Sequence, residues 1–267
     1  MLKDITLGQF FPGKTVVHKL DPRTKLILVI VYIIALFSAK WFISYGVMMA
    51  VLCGIIAASK IQMKTIFRSM KPLLLIICLT GLLNLLYTDG EVLVQIWVLK
   101  ITKEGIFSAV FMVLRIAMLI TGTFMLTYTT SPIALTDGLE LLLNPLKKIK
   151  VPVHELSMMM CIALRFIPTL IEETDKIMSA QKARGADFET GSLIQRAKAL
   201  IPILVPLFIS SFRRADELAV AMECRCYHGG DGRTRMKQLQ YQTRDRAALT
   251  GGIVLLAVVI VLGHFGL

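Results

Sequence analysis

The sequence predicts an all-α, polytopic membrane protein of about five transmembrane helices, with a cytoplasmic insert of one short and two long amphipathic helices. Two observations predict this class. The 267-residue chain is 55% hydrophobic, with a mean hydropathy of +0.69, and it contains several uncharged runs near the length, about 17–25 residues, of a membrane-spanning helix. Its 30 Lys and Arg, against 18 Asp and Glu, cluster in polar segments between those runs, as in membrane proteins whose positive loops face the cytoplasm.

Five apolar runs are predicted to span the bilayer: Leu26–Ala39, Phe42–Ser59, Pro72–Thr88, Gly105–Tyr128 and Ala247–Gly266. The first two are separated by Lys40-Trp41, and Trp at such a turn is typical of the membrane interface. The first run has only 14 residues, so we expect it to be shielded by neighbours or only partly inserted. Pro72 is expected to open the third span, because proline is favoured at a helix start. The apolar Val92–Leu99 is too short to span and is expected to be extended or interfacial.

The distribution of Lys and Arg predicts the orientation. Residues 129–246 hold 17 of them, the first 25 residues hold five and residues 60–71 hold four, whereas the opposite side holds only Lys40, Lys100 and Lys103. The positive-inside rule then places the N-terminus in the cytoplasm and the C-terminus outside. The predicted domains are a cytoplasmic N-terminal segment (1–25), four membrane helices (26–128), a cytoplasmic helical domain (129–246) and a fifth membrane helix (247–267). Since orientation explains the net charge of +12, no nucleic-acid partner is predicted.

The cytoplasmic domain is predicted to hold three helices: Ser131-Pro132 to about Asn144-Pro145, after Pro152 to about Ala183-Arg184, and about Leu193 to Cys224–Cys226. Apolar residues recur at a helical period along both long helices, with charged residues on the other side. Such helices could lie flat on the membrane, or they could cross one another and form a platform.

Each long helix ends on an arginine between small residues: Ala183-Arg184-Gly185 and Cys224-Arg225-Cys226. Two interpretations stay open for each arginine. In a last helical turn, arginine stabilises the helix through its dipole by about 0.3–1 kcal/mol. Because the arrangement occurs twice, the second interpretation is that both guanidinium groups bind carboxylates or backbone carbonyls of a partner protein. Gly185 is expected to supply a left-handed helix cap.

The segment Gly8-Gln-Phe-Phe-Pro-Gly13-Lys14-Thr15 matches the pattern of a phosphate-binding loop letter for letter. Such a loop needs a preceding buried strand and a following helix. Only seven residues precede Gly8, and Pro12 lacks an N–H donor. We therefore interpret the match as coincidental and expect any ATP to be bound by another chain.

No catalytic, metal or cofactor site is predicted. Cys224, Cys226 and His228 supply three candidate ligands, but no second cluster completes the four that structural zinc needs. Arg115 in the fourth span is expected to face protein or water. The spans contain no Asp or Glu, which disfavours a stand-alone proton or sodium carrier.

Several segments resemble the T component of energy-coupling factor transporters, most of all its shared-module branch, which serves several vitamin-binding partners. The similar segments are Gly8–Gly13, His18–Lys25, Gln181–Asp187 and Ala221–Thr234, and the likeness covers essentially the whole chain. The resemblance implies a membrane scaffold in an importer of the ATP-binding-cassette class. It implies that two cytosolic ATPase subunits bind the helix tips, Arg184 on one and Arg225 on the other, and that a separate membrane-embedded S component binds the vitamin or metal ion.

One position departs from the family pattern, because Cys226 stands where the second tip usually has Gly. A cysteine adds a Cβ to this cap. We therefore expect either that the cap shifts to Gly229 or that the turn is not left-handed.

The predicted function is non-catalytic: a subunit that transmits ATPase movement to a substrate-binding S component during vitamin or micronutrient uptake. A stand-alone channel or carrier with a regulatory helical surface is the alternative from a different class. A membrane-anchored nucleotide hydrolase using Gly13-Lys14-Thr15 is a third. The transported substrate is not indicated, because on the first hypothesis another chain binds it.

Overall fold

The computed structural model describes residues 10–39, 41–88, 90–96, 99–188, 192–230 and 238–265. The α-helices in these ranges are α1 (Pro22–Ser38), α2 (Phe42–Ser59), α3 (Met63–Met70), α4 (Leu74–Tyr87), α5 (Lys103–Thr129), α6 (Pro132–Leu143), α7 (Val153–Ala183), α8 (Leu193–Glu223) and α9 (Thr243–Phe265). Two short strands, β1 (Val92–Ile96) and β2 (Leu99–Thr102), pair antiparallel between α4 and α5. Helices make up nearly all the regular structure, so the predicted all-α class is confirmed.

The described residues divide into two compact units. The larger unit consists of residues from 8–138 and 239–267 and contains α1–α5 and α9. The smaller unit consists of residues from 139–238 and contains α7 and α8. Helix α6 begins in the larger unit and ends in the smaller one.

Six helical segments in the described ranges are long and apolar enough to cross a membrane: Phe42–Ser59, Met63–Tyr87, Lys103–Thr129, Val153–Ala183, Ile194–Glu223 and Thr243–Phe265. A multi-pass membrane protein is therefore confirmed. Four of the five predicted spans lie in this set, whereas the first does not, because α1 has only 17 residues. Helices α7 and α8, predicted to be cytoplasmic, also meet these criteria of length and composition. Lys40, at the first predicted turn, and Gly266, at the predicted end of the last span, lie outside the described residues.

The third predicted span begins earlier than expected, and Pro72 does not open it. Helix α3 precedes this proline and joins α4 through a 3-10 turn, Lys71–Leu73. Because this turn starts a new hydrogen-bond register, Pro72 falls in its first turn, where a missing N–H removes no helical bond. The helical segment therefore runs from Met63 to Tyr87.

The core of the larger unit lies among α1, α2, α5 and α9. Its most buried apolar side chains, each at most 2% exposed, include Ala35, Leu36, Met48, Met118 and Val259. The ring of Tyr32 packs on Gly122, where a Cβ would lie only 2.6 Å from the ring. The hydroxyl of Tyr32 donates to the carbonyl of Met118 at 3.3 Å. This glycine therefore brings α1 and α5 into close contact.

Arg115, midway along α5, is bonded inside the larger unit. Its Nε donates to the hydroxyl of Tyr45 at 2.8 Å, and its Nη2 donates to the carbonyl of Ala39 at 3.2 Å. Ala39 caps the C-terminus of α1, where carbonyls have no intrahelical partner. The expectation that this arginine faces protein or water is confirmed.

The extended alternative expected at Val92–Leu99 is confirmed, because β1 and β2 form an antiparallel pair. Residues 97–98 lie outside the described residues. The strand pair leads directly into α5. Thr102 caps this helix by accepting the N–H of Gly105 at 3.0 Å, while its hydroxyl donates to the carbonyl of Thr88 at 2.8 Å. The end of α4 is thereby fixed beside the start of α5.

Candidate functional site

Helices α7 and α8 of the smaller unit pack as an antiparallel pair. Near the end of α7, the side-chain amide of Gln181 donates to the carbonyl of Pro202, near the start of α8, at 3.5 Å. Earlier in α7, the ring of Phe166 lies 5.9 Å from the guanidinium carbon of Arg214, further along α8. The two helices therefore run in opposite directions. Each helix has 31 residues.

Glu173 is a polar centre of this helix pair. Its Oε2 accepts a hydrogen bond from Nη2 of Arg214 at 2.9 Å, and its Oε1 accepts one from the hydroxyl of Ser210. The arginine and glutamate side chains are partly shielded, at 30% and 23% exposed. Directional, charge-assisted bonds hold one relative position more strictly than apolar contacts do. In the sequence Glu173 is one of several charged residues opposite the apolar face of its helix.

Large apolar side chains are exposed along α8 and in the first turns of α7. They include Leu156, Met159 and Met160 of α7, and Ile194, Leu200, Ile201, Leu204, Val205, Phe208, Ile209, Phe212 and Val220 of α8. Exposed apolar surface of this extent marks a contact with protein or membrane. Both expected uses of the apolar faces, on the bilayer and in a platform, remain compatible with it.

The end of α7 forms a Schellman cap around Arg184. Gly185 is left-handed, with φ of 88°, so its predicted role in the cap is confirmed. Its N–H donates to the carbonyl of Lys182 at 3.0 Å, and the N–H of Ala186 donates to the carbonyl of Gln181 at 3.0 Å. These two bonds satisfy carbonyls that the helix end leaves free.

The end of α8 repeats this cap around Arg225. Cys226 is left-handed, with φ of 56°. Its N–H donates to the carbonyl of Glu223 at 2.8 Å, and the N–H of Tyr227 donates to the carbonyl of Met222 at 3.1 Å. Each arginine therefore directly precedes the left-handed residue of its cap.

The geometry of Cys226 corrects the expectations from sequence, both of which were wrong. The cap does not shift to Gly229, although Gly229 is itself left-handed with φ of 100°, and the turn at Cys226 does not avoid the left-handed region. The physical reason is that φ of 56° lies at the centre of the small left-handed basin open to L-residues, near +57°. The φ of Gly185 lies further out, where a glycine is better suited.

Arg184 and Arg225 lie towards opposite ends of the helix pair. Both are exposed, and within the described ranges no hydrogen bond or ion pair engages either guanidinium. Since Gln181 contacts Pro202, Arg184 lies near the start of α8, whereas Arg225 follows its end. At a rise of 1.5 Å per residue, the tips are on the order of 35 Å apart. The small neighbours of the two arginines are exposed as well: Ala183, Gly185, Cys224 and Cys226.

The loop that carries Gly13-Lys14-Thr15 differs from a phosphate-binding loop. In such a loop a helix begins directly after the glycine-rich segment. Here a turn follows, and α1 begins only at Pro22. Gly8, the first residue of the match, lies outside the described residues. The geometry therefore supports interpreting the match as coincidental.

His18 closes this loop instead. With its Nε2 donating to the carbonyl of Phe11 at 3.1 Å, its Nδ1 accepts from the hydroxyl of Thr15 at 2.6 Å. A Cβ at Gly13 would lie 2.7 Å from the ring. Burial lowers the pKa of His18, the bond to Phe11 opposes that shift, and the charge of Lys25 lowers the pKa further. The ring is therefore held neutral at neutral pH.

Lys25 belongs to a buried polar network that the sequence analysis missed. It is 6% exposed, and its Nζ donates to the carbonyl of Thr129 at 2.9 Å, to Oγ1 of Thr130 at 3.0 Å and to the carbonyl of His18 at 3.3 Å. The first turn of α1 is thereby tied to the end of α5.

Asp245 ties the start of α9 to the same region. It is 2% exposed, and its carboxylate accepts the backbone N–H groups of Asp21 and Gln242, both at 2.8 Å. Asp21 is in turn bonded to Arg23 at 2.9 Å. The signal in the sequence was the charged Asp21–Lys25 segment directly before an apolar run, but nothing in the pattern paired it with a residue more than 200 positions away.

Together these features define a multi-pass helical membrane protein with a separate pair of long, arginine-tipped helices. The chain belongs to the cobalt transport protein (CbiQ) family, whose profile matches residues 13–236. Curated relatives are energy-coupling factor transporter transmembrane proteins (EcfT). The relative from Clostridium kluyveri is 54% identical over 262 residues, 97% of each chain, and that from Thermosediminibacter oceani is 53% identical over 266 residues, 99% of each chain. The relative from Bacillus subtilis is 45% identical over 263 residues, 98% of this chain and 99% of its own. The resemblance found in the sequence is therefore confirmed, and the protein is a transporter membrane component.

Proposed function

We propose that this protein is the non-catalytic coupling subunit of an energy-coupling factor importer for vitamins or other micronutrients. It transmits movement of two ATP-binding-cassette ATPase subunits to a separate, membrane-embedded S component that binds the substrate. The observation that carries this proposal is the pair of equivalent helix caps presenting Arg184 and Arg225 near opposite ends of one helix pair. Family membership supports it.

Each tip combines a cation with a fixed backbone. The two cap bonds order the turn, so a partner binds Arg184 or Arg225 without first ordering the chain. Each guanidinium offers five donors in a planar fork that suits carboxylates and backbone carbonyls. Small neighbours on both sides let the wall of a partner's groove approach the arginine closely.

Transmission between the tips needs two helices that move together. The bonds from Arg214 and Ser210 to Glu173 tie the middle of α7 to the middle of α8. A displacement at the Arg184 end is then passed to the Arg225 end instead of being lost as sliding between the helices. The exposed apolar faces supply the surface on which an S component or the bilayer boundary rests.

We propose that the N-terminus and residues 129–246 lie in the cytoplasm and the C-terminus outside. The positive-inside count supports this orientation. Helices α7 and α8 also carry fourteen charged residues: Glu155, Arg165, Glu172, Glu173, Asp175, Lys176, Lys182, Arg196, Lys198, Arg213, Arg214, Asp216, Glu217 and Glu223. Since a central charge in a spanning helix costs about 2.5–3.5 kcal/mol, a surface or cytoplasmic position suits these helices better than a transmembrane one.

The experiment is co-purification of the chain with its two ATPases and an S component, comparing wild type with the Arg184→Ala, Arg225→Ala double variant. We expect loss of ATPase retention and of substrate uptake, with each single variant showing partial loss. Arg213→Ala, an exposed arginine on α8 away from the tips, is the matched control and should leave both unchanged.

If the double variant retains assembly, ATPase activity and uptake, the tips do not dock the ATPases. Substrate flux through the purified chain alone, in vesicles without ATP, would favour the stand-alone channel or carrier instead.

A further inference from the structure

An apolar groove of about 420 Å³ lies within the larger unit among α1, α2, α5 and α9. Its volume falls in the range of about 300–1,000 Å³ typical of ligand pockets. Leu28, Leu52, Met125 and Leu255 are representative of its lining, and Lys25 is the charged residue among the described lining residues. The groove is therefore apolar along its length and polar at one place.

The polar place is one end of the groove. Lys25 lies in the first turn of α1, Thr129 ends α5, and Ala248 lies near the start of α9. From these helix ends the lining continues to Tyr32 on α1 and Leu255 on α9. Each lies seven residues further along its helix, about 10 Å deeper. The groove thus runs from a membrane face toward the bilayer interior.

We propose that this groove holds an acyl chain of an anionic phospholipid, whose head group lies at the rim near Lys25. The lining is apolar apart from Lys25, so water inside the groove finds few hydrogen-bond partners. Inside a bilayer the abundant apolar molecules are acyl chains, and only an amphiphile matches a site with its polar end at a membrane face. The inference needs membrane insertion but not the coupling role, so the two proposals can fail separately.

The charge at the rim selects an anionic head group. Lys19 is exposed between the groove-lining Val17 and Leu20. Arg244 is exposed one helical turn before Ala248, on the same face of α9.

Two acidic groups of this region, Asp21 and Asp245, lie beneath the rim and are not exposed on it. Asp21 and Asp245 are buried, and their carboxylates are already bonded. Lys25 gives its hydrogens to neutral oxygens, and the charge of the buried Asp245 acts on Lys25. The exposed cations at the rim are therefore Lys19 and Arg244, whose Nη2 also bonds the side chain of Gln242. Clustered basic residues at a membrane face attract anionic lipids.

Gly251 provides the test of the acyl-chain site. It lines the groove, and a Cβ there meets no atom within 4 Å, so Gly251→Leu fills open space without a clash. Gly54 on α2 is the matched control, because it is exposed, lies outside the lining and also has open space at its Cβ. The full chain is purified with added phosphatidylglycerol, and native mass spectrometry counts the retained lipid.

We expect wild type and Gly54→Leu to retain one phosphatidylglycerol through delipidation and Gly251→Leu to lose it, while thermal unfolding shows that all three chains are folded. Equal retention by Gly251→Leu overturns the site. Replacing Lys19 and Arg244 with Gln should abolish the preference for phosphatidylglycerol over phosphatidylcholine. A preference that survives this change overturns the role of the rim.

A second measurement uses the wild-type chain and does not depend on any variant. Phosphatidylglycerol with a photoactivatable group on its acyl chain should label peptides containing Tyr32 or Leu255. Label confined to other helix faces overturns the proposal. The proposal is also overturned if these peptides are labelled only in the absence of an S component, because the groove would then be a protein interface.

Discussion

Gly185 and Cys226 occupy the same left-handed position in the two caps that end α7 and α8. An arginine directly precedes each of them in the sequence, and each donates its N–H to the carbonyl three residues earlier. Their φ angles differ, at 88° and 56°. The two caps therefore make the same hydrogen bonds, but the backbone at Cys226 accommodates a side chain more readily than the backbone at Gly185.

Replacing Gly185 with Ala is expected to destabilise the first cap by about 1–2 kcal/mol, because a Cβ is disfavoured in the left-handed region. Hydrogen exchange at the N–H groups of Gly185 and Ala186, which is slow when the cap is formed, should accelerate. The reciprocal change, Cys226→Gly, should shift the stability of the second cap by less than about 1 kcal/mol, since Gly relieves the Cβ but raises the entropy of the unfolded chain. Unchanged exchange in Gly185→Ala would show that φ does not limit this position.

Replacing Glu173 with Gln is expected to lower the stability of the α7–α8 pair by about 1 kcal/mol. The amide keeps the shape of the side chain but loses the charge that strengthens the bond from Arg214, and partly exposed ion pairs contribute on this scale. Thermal unfolding of the purified chain measures the loss. Glu172→Gln is the control, because Glu172 is exposed on the same turn. Equal effects of the two changes would contradict a special role for Glu173.

Replacing Arg115 with Met is expected to destabilise the larger unit by about 1–3 kcal/mol, the cost of leaving partly buried polar groups without partners. The groups affected are the hydroxyl of Tyr45 and the carbonyl of Ala39. Detergent-induced unfolding provides the measurement. In a Tyr45→Phe background the same change should cost less, because one of the two partners is already gone. Purely additive effects would mean that this hydrogen bond contributes nothing.

The stability of the N-terminal loop is expected to fall as the pH drops below neutral. Burial lowers the pKa of His18 in the folded chain, so the unfolded chain, with a pKa of about 6.5, binds the proton more readily. Stability is therefore lost as the pH falls from about 6.5 toward the lower folded pKa, and the loss ends below it. Proteolysis of the loop between pH 8 and pH 5 should show this slope. His18→Gln should flatten it, and an unchanged slope in that variant would assign the effect to another group.

Local signals in the sequence predicted the helix ends where a single residue fixes the backbone. Ser131 and Pro132 marked the start of α6, and Gly185 marked the left-handed end of α7. Proline restricts φ and glycine widens its range, so these helix ends can be predicted without knowing any tertiary contact. Of the five membrane helices that the long uncharged runs predicted, four are confirmed as long and apolar enough to span, because length and apolar content are local properties.

The remaining features depend on contacts between residues far apart in the chain. In the sequence Lys25 is an ordinary basic residue before an apolar run. Only the fold places Thr129 and Thr130 within hydrogen-bond distance of its Nζ. Glu173 becomes a polar centre only when α8 packs beside it. Cys226 was mispredicted because residue type alone gives a preference, whereas the two bonds of the cap determine the conformation.

On the proposed coupling function, two tips on the order of 35 Å apart on one antiparallel helix pair make this segment a bivalent rod. A rod of this kind bridges two molecules and does not clamp one. Once a first partner is bound, the second attachment benefits from a raised effective concentration only if the two partners also touch each other. The strength of the assembly would then be set jointly by the two tips and by the contact between the partners.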